Sequence, residues 1–108
     1  MDAEPRVEPD APARVDFTEA MTPPKLLSGP GHDYTPGALE HRIGGLMIVR
    51  CVVTVEGVVH ACGVVRGLPF MDGAVVEVLE GRRYAPATLN GEPLEVNYTF
   101  RIRLHLPR

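Results

Sequence analysis

The stretch EVNYTFRIRLHL (residues 95–106) decides the fold, because apolar and polar residues alternate through it without a break. A period of two residues places alternate side chains on opposite faces of a β-strand. A strand of twelve residues is longer than the usual five or six. We therefore expect it to extend beyond its neighbours and to leave backbone N–H and C=O groups unpaired along an edge. Another strand can pair with such an edge, so the stretch predicts a binding module.

A β-hairpin is predicted in the middle of the chain. Residues 46–55 and 58–65 are rich in β-branched side chains, and Glu56-Gly57 between them is a turn sequence whose glycine accepts a positive φ.

Two short helices are predicted on either side of this hairpin. Thr35 is a suitable N-cap for a helix that starts at Pro36 and ends near residue 42. We expect Ala38, Leu39 and Ile43 to face inward. Asp72 is a suitable N-cap for a second helix that ends near residue 81.

The order of elements is therefore helix, strand, strand, helix, strand. We predict an α+β domain with two helices on one face of a three-stranded antiparallel sheet. In such a sheet the first hairpin strand lies in the middle and the last strand lies at an edge.

Charge and composition exclude several classes of protein. The formal net charge is −3, and residues 20–108 carry nine basic against eight acidic side chains, without a basic stripe. Nucleic acid is therefore not an expected partner. No run of about eighteen apolar residues and no signal-peptide pattern occurs. The chain is then either cytosolic or a piece of a longer protein with its targeting segment upstream.

The N-terminal part has a different composition from the rest. Residues 1–30 contain six of the eleven prolines, and residues 1–19 contain six acidic side chains against two arginines. Such a sequence cannot bury a core, so we predict a disordered linker over 1–30 and a folded domain over 31–108.

Cys51 and Cys62 are the only cysteines. With Glu56-Gly57 as a two-residue turn they lie opposite each other, so a cross-strand disulfide is one expectation in an oxidising compartment. A longer loop or a bulge would change this register, and the two cysteines would then stay free thiols. Two cysteines at this spacing are a poor zinc site. The four histidines have no ligand spacing, and no phosphate loop or nucleophile motif occurs. We expect no metal, no cofactor and no enzymatic activity.

Several short motifs together resemble the C-terminal domain of TonB-family energy transducers. The resemblance extends over residues 23–106. Its motifs are Tyr34-Thr35-Pro36, Ile43-Gly44-Gly45, Glu56-Gly57, Val64-Val65-Arg66-Gly67, Leu68-Pro69-Phe70-Met71-Asp72 and Arg83-Tyr84-Ala85-Pro86-Ala87. Arg82 stands where the family usually has a tryptophan.

The resemblance implies a non-catalytic periplasmic adaptor that binds the TonB box of an outer-membrane transporter by β-strand addition. It also implies an inner-membrane anchor coupled to a proton-driven motor, residues 1–30 being the end of a spacer, and two cysteines that point into the core. The docking edge carried over by position is Glu95, Val96, Asn97, Tyr98, Thr99, Phe100, Arg101, Ile102 and Arg103.

Three alternatives stay open. The same fold could be a scaffold in another envelope machine, such as a motility or secretion complex. The exposed edge also permits a homodimer. Arg50, Arg101 and Arg103 are expected on the polar face of the sheet, where either an acidic partner or solvent faces them.

Overall fold

The computed structural model describes residues 14–106. Two helices and seven strands follow one another within that range. The strands are β1 (Arg14–Asp16), β2 (Lys25–Ser28), β3 (Gly45–Val53), β4 (Val59–Arg66), β5 (Arg83–Ala85), β6 (Ala87–Leu89) and β7 (Glu92–Leu104). Helix α1 (Pro36–Glu40) lies between β2 and β3, and α2 (Asp72–Glu80) lies between β4 and β5.

The main sheet has the strand order β1-β7-β3-β4, and β6 also pairs with β7. The predicted α+β class with the first hairpin strand, β3, in the middle is confirmed. The predicted three-stranded antiparallel sheet is wrong in its details. Strand β1 joins the sheet parallel to β7, and β6 forms a further hairpin with β7 through the Asn90-Gly91 turn.

The β3–β4 hairpin has a longer turn than the sequence predicted. Val53 pairs with Val59 rather than with His60, because the loop runs from Thr54 to Val58. Ala61, with a φ of 54°, then lies at an irregularity in the register. Beyond it Arg50 pairs with Gly63 as predicted. The extra loop residue and the bulge therefore compensate each other and bring Cys51 and Cys62 together.

The predicted N-cap is confirmed for α1 but not for α2. The Thr35 hydroxyl accepts the Ala38 N–H at 3.1 Å, as predicted for the N-cap of α1. The N-cap of α2 is Met71 rather than Asp72. The Asp72 carboxylate instead accepts the Leu68 N–H at 2.9 Å and closes the turn before the helix. Leu39, predicted to face inward, is 45% exposed, because the buried position of α1 is taken by its neighbour Ala38.

The core lies between the helices and one face of the sheet. Alternate residues of β3 and β7 point into it together with one face of α2, as period-two and period-3.6 patterns require. Its main buried side chains are Ala38, Met47, Val49, Val53, Met71, Val75, Leu79 and Val96. Both helices therefore cover the same face, and the opposite face carries the polar residues of β7 beside Arg50 and the apolar Leu46, Ile48 and Val52 of β3.

The prediction of a disordered linker over 1–30 is wrong for residues 14–30. Strand β1 pairs with β7, and β2 pairs antiparallel with β5 in a second, two-stranded sheet. The part of the prediction that concerns residues 1–13 lies outside the described residues.

Candidate strand-docking site

The predicted docking edge belongs to β7, which has different neighbours on its two sides. On the inner side β3 pairs with it from Val96 to Leu104. β6 pairs with residues 92–94, before the stretch that pairs with β3, and on the outer side β1 covers residues 95–97. Among the described residues, no strand pairs with the outer side of β7 beyond Asn97.

Backbone geometry identifies the groups that this outer edge offers. The Phe17 N–H donates to the Asn97 carbonyl oxygen at 3.0 Å, so the backbone polar groups of Asn97 point outward. In an antiparallel strand the N–H and C=O of one residue point to the same side, and the side alternates along the strand. The backbone groups of Thr99, Arg101 and Arg103 therefore point outward as well, and form an edge of five residues, 99–103.

The side chains of β7 divide between an apolar and a polar face. On the apolar face Phe17 meets Tyr98 edge to face, with ring centroids 5.0 Å apart. Tyr98 contacts Phe100 in the same way at 5.0 Å, and Phe100 contacts Tyr84 at 5.5 Å. This ladder of aromatic rings leads from the core to the outer edge, so an added strand would find apolar surface on that face.

A polar cluster lies on the opposite face at the point where β1 ends. One Asp16 carboxylate oxygen accepts from the Arg50 guanidinium at 2.6 Å and from the Asn97 side-chain amide at 2.9 Å. These residues, with Tyr98 and Arg101, line an open pocket of about 430 Å³. The expected polar face with Arg50 thus exists, and the chain supplies its own acidic group to that arginine.

The structure divides the nine predicted edge residues into two groups. The outer side of Glu95–Asn97 is taken by β1, and the stretch from Tyr98 to Arg103 is open among the described residues. Sequence reasoning did not identify Asp16 and Phe17 as part of this region. Their only signal is the short alternation Val15-Asp16-Phe17, which lies inside an acidic, proline-rich segment.

The two cysteines lie beside the site. The structure joins Cys51 and Cys62 by a disulfide with an S–S distance of 2.08 Å, and Cys51 pairs across the sheet with Tyr98. Cys51 is buried and Cys62 is half-buried. The bond therefore links β4 to the central strand β3 at the residue that pairs with Tyr98 of the aromatic ladder.

Two other kinds of site are absent from residues 14–106. No helix in this range is both long and apolar enough to cross a membrane. No three of its His, Cys, Asp and Glu side chains form a group that could hold a metal ion.

Comparison with known proteins gives one family. The family model described as "Gram-negative bacterial TonB protein C-terminal" matches residues 30–106, which is most of the chain. No curated protein matches the chain. The match contains α1, the β3–β4 hairpin, α2 and the whole of β7, and it begins after β1 and β2.

Proposed function

Because the chain belongs to the family of C-terminal domains of Gram-negative bacterial TonB proteins, we propose that it binds the TonB box of an outer-membrane transporter as an added β-strand. Domains of this family are periplasmic and generally interact with outer-membrane transporters. In this proposal the bound strand lies along the outer edge of β7. The domain passes on energy from a proton-driven inner-membrane motor and is an adaptor without catalytic activity.

The observation that carries the proposal is the open outer edge of β7. Three outward residues, Thr99, Arg101 and Arg103, offer backbone donors and acceptors in a row, without a strand partner among the described residues. An extended peptide that pairs with such an edge gains main-chain hydrogen bonds whatever its sequence. This suits one adaptor that serves transporters with different TonB boxes.

Selectivity in the proposal comes from the two faces of β7. The bound strand would alternate its side chains between the aromatic surface at Tyr98 and Phe100 and the polar pocket at Arg50 and Arg101. This arrangement favours partners that place an apolar residue on the aromatic surface and an acidic or polar residue in the polar pocket.

Energy transfer needs an anchor and a motor in addition to this domain. We propose that both act through chain N-terminal to the domain, because the sequence before β1 has an acidic, proline-rich composition that is typical of spacers. The pull would then reach the transporter through the strand on β7.

The test compares two variants of one edge residue, Arg101→Pro and Arg101→Ala. Both remove the side chain and its charge, but only proline removes the outward N–H, and it leaves the inner ladder with β3 intact. We expect Arg101→Pro to weaken binding of a TonB-box peptide about tenfold, since one hydrogen bond is lost and its acceptor is left unpaired. Isothermal titration calorimetry measures both variants.

Equal affinities for Arg101→Pro and Arg101→Ala would contradict strand addition at this edge. If no TonB-box peptide binds even the wild-type domain, the scaffold role in another envelope machine becomes the better explanation of the same fold.

A further inference from the structure

We propose that β1 is an internal ligand of the docking edge, which the partner strand must displace, and that the partner replaces the Asp16 carboxylate with one of its own. This inference rests on the proposed function, because it concerns the same edge of β7. It adds a competitor within the chain and a chemical requirement on the partner.

The backbone of β1 already does what an added strand would do. It runs parallel to β7, with Val15 opposite Val96 and Asp16 opposite Asn97. The Phe17 N–H then closes the pairing on the Asn97 carbonyl. A partner strand along all of residues 95–103 would need these same backbone groups. The internal and the external strand therefore exclude each other over residues 95–97.

The side chains of β1 and of the residue after it use both faces of the site. Phe17 extends the aromatic ladder through Tyr98, and Asp16 enters the polar pocket and binds Arg50 and Asn97. Apolar and acidic residues thus alternate along this segment as we expect them to alternate along a bound peptide. The segment is a short template for the partner.

The hold of β1 on the edge is weak enough to be reversed. It has three residues, its Val15 is 41% exposed, and both partners of its ion pair are exposed. Exposed ion pairs contribute little. Because the partner can bind only molecules in which the edge is free, its apparent affinity is the intrinsic affinity multiplied by the fraction of such molecules.

The charge of the pocket sets the requirement on the partner. When Asp16 leaves, Arg50 loses its carboxylate, and Arg101 lies in the same pocket. A strand that brings a carboxylate opposite Asn97 restores the ion pair, whereas a neutral strand leaves the guanidinium without it. Partner segments with an acidic residue at this register therefore compete better with β1.

The test uses two charge reversals in the full chain, Asp16→Lys and Glu19→Lys. Both change the net charge equally, and Glu19 is an exposed residue three positions away. Hydrogen exchange followed by NMR reports first on the Phe17 amide. We expect this amide to be protected in the wild type and in Glu19→Lys. It should exchange rapidly in Asp16→Lys, because Arg50 would repel the ammonium group that this substitution introduces.

The second readout is the affinity for a TonB-box peptide with an acidic residue and for the same peptide with the matching amide. We expect Asp16→Lys to bind the acidic peptide about fivefold more tightly than the wild type. Glu19→Lys should bind it as the wild type does. The amide peptide should bind every variant more weakly than the acidic one.

Three outcomes would overturn the inference. An unprotected Phe17 amide in the wild type would mean that β1 does not occupy the edge. Unchanged affinity in Asp16→Lys, despite a released β1, would mean that the two strands do not compete. Equal affinity for the acidic and amide peptides would remove the requirement on the partner. Failure of every variant to bind any peptide would instead refute the proposed function, while the exchange data would still decide whether β1 occupies the edge.

Discussion

His32, in the segment that joins β2 to α1, places an imidazole partly inside the fold. Both of its ring nitrogens and the Tyr34 hydroxyl are buried without a hydrogen-bond partner among residues 14–106. Burial lowers the pKa of His32 from its ordinary value of 6.5, the positive charge of Arg82 lowers it further, and Asp33 opposes the shift. The neutral imidazole is therefore the form that the fold favours.

This lowered pKa predicts a loss of stability in mild acid. Below pH 6.5 the unfolded chain takes up a proton at His32 while the folded chain does not, so the free energy of unfolding falls as the pH falls. The loss ends once the pH passes the lowered pKa of the folded state. We expect His32→Gln to lack this part of the pH dependence, as measured by urea unfolding above and below pH 6.5.

The exposed His60 on β4 supplies the matched control. His60→Gln should keep the pH dependence of the wild type. The assignment to His32 would fail if His32→Gln and the wild type lost the same free energy of unfolding over this pH range.

Arg82, whose charge acts on His32, stands where the family usually has a tryptophan. The family resemblance predicts a tryptophan here, and the chain instead has a guanidinium that donates to the Pro30 carbonyl at 2.8 Å and to the Tyr84 hydroxyl at 3.3 Å. These bonds tie the segment before α1 to β5. The contact that a large ring would make by packing is made here by hydrogen bonds.

At the scale of elements, the disulfide fixes the β3–β4 hairpin. Cys51 and Cys62 are eleven residues apart, and closing a loop of this length in the unfolded chain corresponds to about 2–3 kcal/mol. We expect the double variant Cys51→Ala/Cys62→Ala to lose about this much free energy of unfolding in urea.

The control for this prediction is a reductant. It should lower the stability of the wild type and leave the double variant unchanged. If the reductant changed neither protein, the cysteines would be free thiols in solution, which is the alternative that the sequence left open.

Strand β7 combines two roles through its length. It has thirteen residues, whereas its partner β3 has nine and β4 has eight. Its inner side completes the core sheet, and its first residues form a hairpin with β6. The pairing with β3 keeps residues 99–103 extended without a neighbouring strand on the other side among the described residues, so this part of the edge is already in the conformation that an added strand needs.

In the whole molecule, the two edges of the main sheet expose different groups. One end is β1 with the open part of β7, and the other is β4, where Val64 and Val65 are 38% and 66% exposed. Exposed apolar strand edges favour pairing between chains. The homodimer that the sequence permits stays untested, and either edge of the sheet could form it.

Much of the central architecture could be predicted from local signals. Alternation identified β7, the Glu56-Gly57 turn identified the hairpin, and Thr35-Pro36 identified the start of α1, because each of these depends on neighbouring residues. The predicted edge position of the last strand follows from the order of elements and holds for residues 99–103.

The parts that could not be predicted depend on contacts between distant residues. Strand β1 has three residues and pairs with β7 about eighty positions later, so its own sequence shows only a brief alternation. Strands β5 and β6 are equally short. Asp72 is a good cap by residue type, but its carboxylate binds the Leu68 N–H of the preceding turn. In each case long-range pairing or an adjacent turn outweighed the local preference.

The most direct test of strand addition is an NMR titration of the isotope-labelled domain with a TonB-box peptide. The geometry of β7 predicts an alternating result: large amide shifts at Thr99, Arg101 and Arg103, which point outward, and small shifts at Phe100 and Ile102, whose amides face β3. Uniformly small shifts across residues 99–103 at saturating peptide, with the largest changes elsewhere in the domain, would contradict strand addition at the outer edge of β7.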